Sequence, residues 1–137
     1  VRAVVLLKTP TLVGRPGQTP AFRGPVVVGF RYHEKWLAQA PVPWEVVTIL
    51  EPFDIFLPSV SPAGGLCLGH PPANFSVESV FHLTWAAVVV NMRITNTVDW
   101  QIFRPDAAAY LRSNKDKFPI TRRGLMEPPE PNLEQPQ

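Results

Sequence analysis

The sequence predicts an α+β domain: a small antiparallel sheet of about four strands, then a central helix and a C-terminal helix. Two observations carry this. Before residue 67 the apolar residues come as short β-branched runs with alternating faces, whereas after it they recur every three or four residues. There are also 17 prolines among 137 residues, most of them clustered at 10–25, 41–62, 71–72 and 128–136. Proline donates no backbone hydrogen bond and breaks helix, so the first two-thirds must be short strands joined by stiff loops.

The elements follow in order. Val1 to Leu7 is a β-branched run and reads as a strand. Thr9 to Pro20, with Gly14, Pro16 and Gly17, reads as a loop. Pro25 to Tyr32 predicts a second strand with Val26, Val28 and Phe30 on one face. Glu45 to Leu50 predicts a third, delivered by the rigid Ala40-Pro41-Val42-Pro43 segment, and Asp54–Leu57 is a candidate fourth. Val77, Val80, Phe81, Thr84, Trp85, Val88 and Met92 then form one helical stripe. Ser76 or Ser79 can cap this helix, and Glu78 suits its positive end. Ala86, Ala87 and Val90 make the opposite side apolar too, so cover on both sides is expected. Pro105-Asp106 opens a last helix to about Lys117, with Ala107, Tyr110, Leu111 and Phe118 facing inward. Residues 1–125 are thus one domain, and 126–137 are a Pro-rich extended tail.

Composition narrows the partners. Thirteen basic against 11 acidic residues give a net charge of +2. The basic run Arg112, Lys115, Lys117, Arg122 and Arg123 is interrupted by Asp116, and its one interleaved aromatic, Phe118, is read as facing inward, which fits a solvated helix face rather than a nucleic-acid surface. The longest apolar stretch, Leu83 to Val90, is well short of the roughly 20 residues of a membrane span. A single cysteine excludes an internal disulfide and any multi-cysteine zinc site, so a reducing, cytoplasmic setting is expected.

That cysteine, Cys67, stands after Gly64-Gly65-Leu66 at the end of a Pro-punctuated loop. Pro58 lies nine residues before it, Gly64 three before it and Leu68 directly after it. This frame resembles the ubiquitin-conjugating enzymes, which place a His-Pro-Asn tripeptide and a glycine at these distances from their cysteine. Tyr32 to Pro43 is similar to the strand and Tyr-Pro-x-x-Pro-Pro segment of that family, and Val46 to Ile49 to the strand that follows. Phe75-Ser76 falls where the family has Trp-Ser/Thr, and Pro105 through Phe118 resembles its last core helices. The likeness covers about residues 23 to 125. Three departures stand out: Leu57 replaces the histidine, Ser59 replaces the asparagine, and the Pro43–Pro58 spacing is some three residues longer. A UBC-like fold without the family's N-terminal helix is therefore expected. Such a shortened, divergent version of the family resembles its bacterial conjugating-enzyme-like branch, encoded with a ubiquitin-like protein and an activating enzyme in operons linked to phage defence.

The resemblance implies a role for each candidate residue. Cys67 would take an acyl group from a thioester and hold it, because sulfur is both a good nucleophile and a good leaving group. The alternative is an inert core thiol. Ser59 would replace the amide that stabilises the oxyanion, or it is simply a turn residue. His70, three residues after the thiol, would deprotonate an incoming amine or donate to the oxyanion; otherwise it is a surface histidine. Asp99, 32 residues past Cys67, would orient the attacking lysine, or be a solvated loop carboxylate. His82 reads as packed or partner-facing, His33 as a strand-end residue, and Trp36, Trp44, Trp85 and Trp100 as core or loop anchors.

The expected function is transfer of a ubiquitin-like protein from an activating enzyme, through Cys67, to a lysine of a protein substrate. An inactive binding module of the same fold is the alternative. A hydrolytic Cys67/His70 dyad is a third reading, and three-residue spacing in a loop suits it poorly.

Overall fold

Alternation in the β-branched runs becomes one four-stranded antiparallel sheet in the computed structural model, which describes residues 1–92, 95, 97 and 102–118. In chain order the elements are β1 (Arg2–Leu7), β2 (Thr11–Val13), β3 (Ala21–Arg23), β4 (Val26–Arg31), β5 (Val47–Glu51), β6 (Gly65–Leu66), α1 (Val77–Val88) and α2 (Pro105–Ser113). Single 3-10 turns lie at Glu34–Leu37 and Lys115–Lys117. The sheet order is β1-β4-β5-β6, and β2 and β3 form a separate hairpin. In the sheet Val4 faces Gly29, Gly29 faces Thr48, and Val47 faces Leu66.

Val26 and Val28 are fully buried and Phe30 packs against the core, the face expected for this strand. They meet α1, whose Phe81 ring lies 4.3 Å from the Phe30 ring between centroids. Ser76 caps α1 by accepting from the Ser79 N–H at 3.3 Å, and Val80, Thr84, Trp85 and Val88 form its buried stripe. The stripe is narrower than its spacing suggested. Val77, in the first turn, is exposed, and on the opposite side Ala86 and Ala87 are only half-buried. The helix ends in a turn at Val90, which has a left-handed φ of 57°. The Asn91 N–H donates back to the Ala86 carbonyl there at 2.9 Å. A β-branched residue in this region is strained, and complete burial of the Val90 side chain holds it there.

Two expectations need correction. Thr9–Pro20 is not all loop: Thr11, Leu12 and Val13 form β2, all three buried, because the neighbouring prolines flank this triplet rather than interrupt it. Asp54–Leu57 is not a strand either. Ile55 makes one isolated bridge to Val13, and the fourth strand is β6, directly before the cysteine.

The closing helix follows expectation. Ala107 and Leu111 are fully buried and Phe118 nearly so, and α2 gives way to a 3-10 turn before Phe118. Tyr110 stacks edge-on to Phe56 at 5.8 Å, and Phe118 meets Phe22 of β3 at 5.9 Å. The tail 126–137 lies outside the described residues. No helix among those described is long and apolar enough to cross a membrane.

The packing sets a contrast measurable by urea unfolding. Leu111→Ala, in a fully buried site, is expected to cost about 2–5 kcal/mol. Leu37→Ala, at an exposed site outside the sheet, should stay within about 0.5 kcal/mol of the parent.

Candidate functional site

Gly64 and Gly65 make possible the turn that delivers the thiol. Ser61 opens it: its carbonyl accepts from the Gly64 N–H at 2.9 Å, and its Oγ accepts from the Gly65 N–H at 3.0 Å. Gly64 has φ +90°, and a Cβ on it would lie 2.7 Å from the Ile49 carbonyl oxygen. A Cβ on Gly65 would lie 2.5 Å from the Trp44 carbonyl oxygen. Both residues are glycine because backbone fills the space a side chain would need. The two-residue strand β6 then pairs with β5 and ends at Leu66.

Cys67 is the first residue beyond that strand, half-buried and on irregular backbone. Its N–H donates to the Ser59 carbonyl at 2.8 Å, and the next N–H, from Leu68, donates to the Pro43 carbonyl at 3.2 Å. The chain then turns at Gly69, whose φ is +79°. Burial pushes the Cys67 thiol above its ordinary pKa, and the Gly69 N–H donating to the sulfur pulls partly the other way.

The Ser59 loop is anchored on its other side too. The Pro58 carbonyl accepts from the N–H groups of Phe103 at 2.9 Å and Arg104 at 3.2 Å. The Arg104 guanidinium lies over the Phe56 ring at 4.9 Å and donates to the Ile55 carbonyl at 2.9 Å. It also binds Asp106 at 2.7 Å, holding that carboxyl below the usual range through this hydrogen bond. Trp44 stands edge-on to Phe103 at 5.7 Å. Three segments therefore converge on the thiol loop: 43–44, 57–61 and 103–104.

Of the expected site residues, the structure joins Cys67 and Ser59 through the backbone. His70 lies past the Gly69 turn and is exposed. Asp99 and Trp100 lie outside the described residues. Leu57, in place of the histidine, is a core residue at 2% exposure. His82 sits half-exposed on α1, 3.6 Å from Glu78, and His33 accepts from the Lys35 N–H to start a 3-10 turn. Trp36 and Trp85 are buried core residues. Ser61 and Arg104 were not singled out in the sequence. The Ser-Pro-x-Gly-Gly string was a turn signal that pointed to Ser61; nothing local pointed to Arg104, whose partners are 49 residues away and on its own helix. Among the described residues no group of three or more His, Cys, Asp or Glu side chains can hold a metal.

Compared with protein-family models, curated proteins and solved structures, the chain finds no match.

Two outcomes test this geometry. Alkylation of Cys67 by iodoacetamide should follow a thiolate titration with a midpoint above the ordinary value of about 8.5. At pH 7–8 the thiol is then mostly protonated, and its reactivity rises about tenfold per pH unit below the midpoint. A midpoint below the ordinary value would contradict the desolvated setting. Gly65→Ala should lower the unfolding midpoint and accelerate Cys67 alkylation together, because the added Cβ pushes the turn off Trp44.

Proposed function

We propose that this domain is a conjugating transferase for a ubiquitin-like protein, with Cys67 as the residue that carries the thioester. The observation that carries the reading is a half-buried Cys67 whose backbone N–H donates to the Ser59 carbonyl, beside the Pro58 frame. A core thiol would be sealed; a thiol on a mobile surface loop would not be held against a second loop.

The chemistry runs in two balanced steps. The Cys67 thiolate attacks the carbonyl carbon of the thioester on the activating enzyme. A new C–S bond forms, the old one breaks, and the departing thiolate takes up a proton. A lysine amine of the protein substrate then attacks the same carbon. An amide forms, Cys67 leaves as a thiolate, and the amine gives up a proton to a base. Exchanging one thioester for another is nearly balanced in energy, so the domain supplies position and oxyanion donors. His70 is the side chain closest in sequence to the sulfur that can accept a proton or donate to the oxyanion; Ser59 and backbone N–H groups are the other donors. Asp99 would orient the lysine. The reaction needs no metal or cofactor, suits the reducing cytoplasm, and fits a bacterial antiphage operon that encodes the activating enzyme and the ubiquitin-like protein.

A specific observation favours a second reading, a non-catalytic module that binds a ubiquitin-like protein. Leu57 is built into the core where the family has its histidine, and the raised thiol pKa leaves little thiolate at neutral pH.

The experiment that separates them uses the cognate activating enzyme, the ubiquitin-like protein and ATP. One adduct removed by thiol reductant is expected; Cys67→Ala should abolish it and Cys67→Ser should leave at most a reductant-stable ester. Binding without any adduct would establish the module instead. In single-turnover discharge to lysine, His70→Ala should slow transfer by about 10²–10³, the usual cost of one oxyanion donor, while thioester formation changes little. Ser59→Ala should have the smaller effect. Discharge at the parent rate in both variants would assign the oxyanion to the backbone amides.

A further inference from the structure

The sheet has two faces, and α1 covers only one of them. The other carries Val4 and Leu6 from β1, Val27 and Gly29 from β4, and Thr48 and Leu50 from β5. Val4 is 70% exposed, Leu6 52% and Leu50 45%, and Phe53 just beyond β5 is 87% exposed. The face continues past Leu50 into a cleft of about 350 Å³ between Phe53 and the Val60–Gly64 turn. An open apolar sheet face of this extent marks an interaction surface.

Its charges and its register indicate what fits it. The pairing slips between Val27 and Val28, so that Val28 faces Ile49 while Val27 faces Glu51. Leu50 is the extra residue of that bulge, and its side chain lies 3.5 Å from where a Gly29 Cβ would be, which puts it on the open face. A bulge turns its two neighbouring side chains to the same side, so Glu51 joins Leu50 there. Arg2 is at the opposite corner of the face, paired in register with Arg31. Neither Arg2 nor Glu51 has an ion-pair partner among the described residues, and both are exposed. The diagonal from Arg2 to Glu51 passes through Gly29, which faces both Val4 and Thr48.

We propose that this face docks a second copy of the same chain in a two-fold dimer, with Arg2 of each copy against Glu51 of the other. A two-fold axis through Gly29, perpendicular to that diagonal, exchanges the two corners. The face is therefore complementary to itself, as an isologous interface requires. The strands of the two sheets then cross steeply, in the orthogonal class of sheet packing. The Leu50 side chain lies over Gly29 and so sits at the centre, where the two sheets come closest. Apolar burial drives the association, and the corner charges set its register.

Sedimentation equilibrium of the 137-residue chain tests this, with circular dichroism confirming that each variant is folded. A concentration-dependent dimer is expected. Leu50→Glu should weaken it at least tenfold. Arg2→Glu and Glu51→Arg, both changes of exposed side chains, should each weaken it several-fold, and the two together should restore it to near the parent value. A monomer at every concentration overturns the proposal. So does a dimer that survives Leu50→Glu, as pairing through the free edge of β1 would, or one in which the combined charge exchange brings no recovery.

Discussion

The hydrogen bond from the Cys67 N–H to the Ser59 carbonyl, 2.8 Å long, closes the segment 59–67 onto itself, and the surroundings of the thiol depend on that closure. Inside it, Ser61 holds the Gly64-Gly65 turn with a backbone and a side-chain acceptor, so the loop's backbone donors are satisfied internally. Outside it, the Pro58 carbonyl is taken by two N–H groups of the segment leading into α2, and Leu68 is tied to Pro43. Without this closure β6 would have no reason to stop after two residues. Cys67 would continue as a strand residue along β5, its side chain fixed to one face of the sheet.

The same closure explains the electrostatic character of the thiol. A sulfur at the edge of a core loses solvation, which favours the neutral form, and one backbone N–H from the Gly69 turn offsets only part of that loss. The residues that resemble a known catalytic frame are thus split between two physical roles. Pro58 and Leu57 serve the core, and both are buried. Ser59 and Cys67 are half-buried at its rim, and His70 is exposed beyond the Gly69 turn.

Proline and glycine divide the work along the chain. Prolines in the linkers prevent helix and leave carbonyls, such as those of Pro43 and Pro58, as acceptors for strands and loops that arrive later. The glycines occur where backbone meets backbone, at Gly64 and Gly65. Together they let a small sheet carry a long irregular segment on one edge, while its far face remains free of any packed helix among the described residues.

The fold class, the inward faces of β4 and α2, the Ser76 cap and the position of the cysteine at the crossover were legible in the sequence. Each follows from a local signal: alternation at period two, apolar recurrence at three and four, or a residue whose own backbone preference decides it. The stripe of α1 was legible as a helix but overstated in width, because Val77 is apolar by type yet exposed in the first turn. The β2–β3 hairpin and the identity of the fourth strand were not legible. Three buried residues between prolines, and a two-residue strand after a glycine pair, are too short to carry a period. Tertiary structure decided these, together with the clamp of Arg104 on Ile55 and the seat of Cys67 against Ser59. The physical reason is common to all of them: their hydrogen-bond partners are brought together only when the sheet and α2 have closed around the 57–61 loop, and no local pattern encodes a partner that the fold itself must deliver.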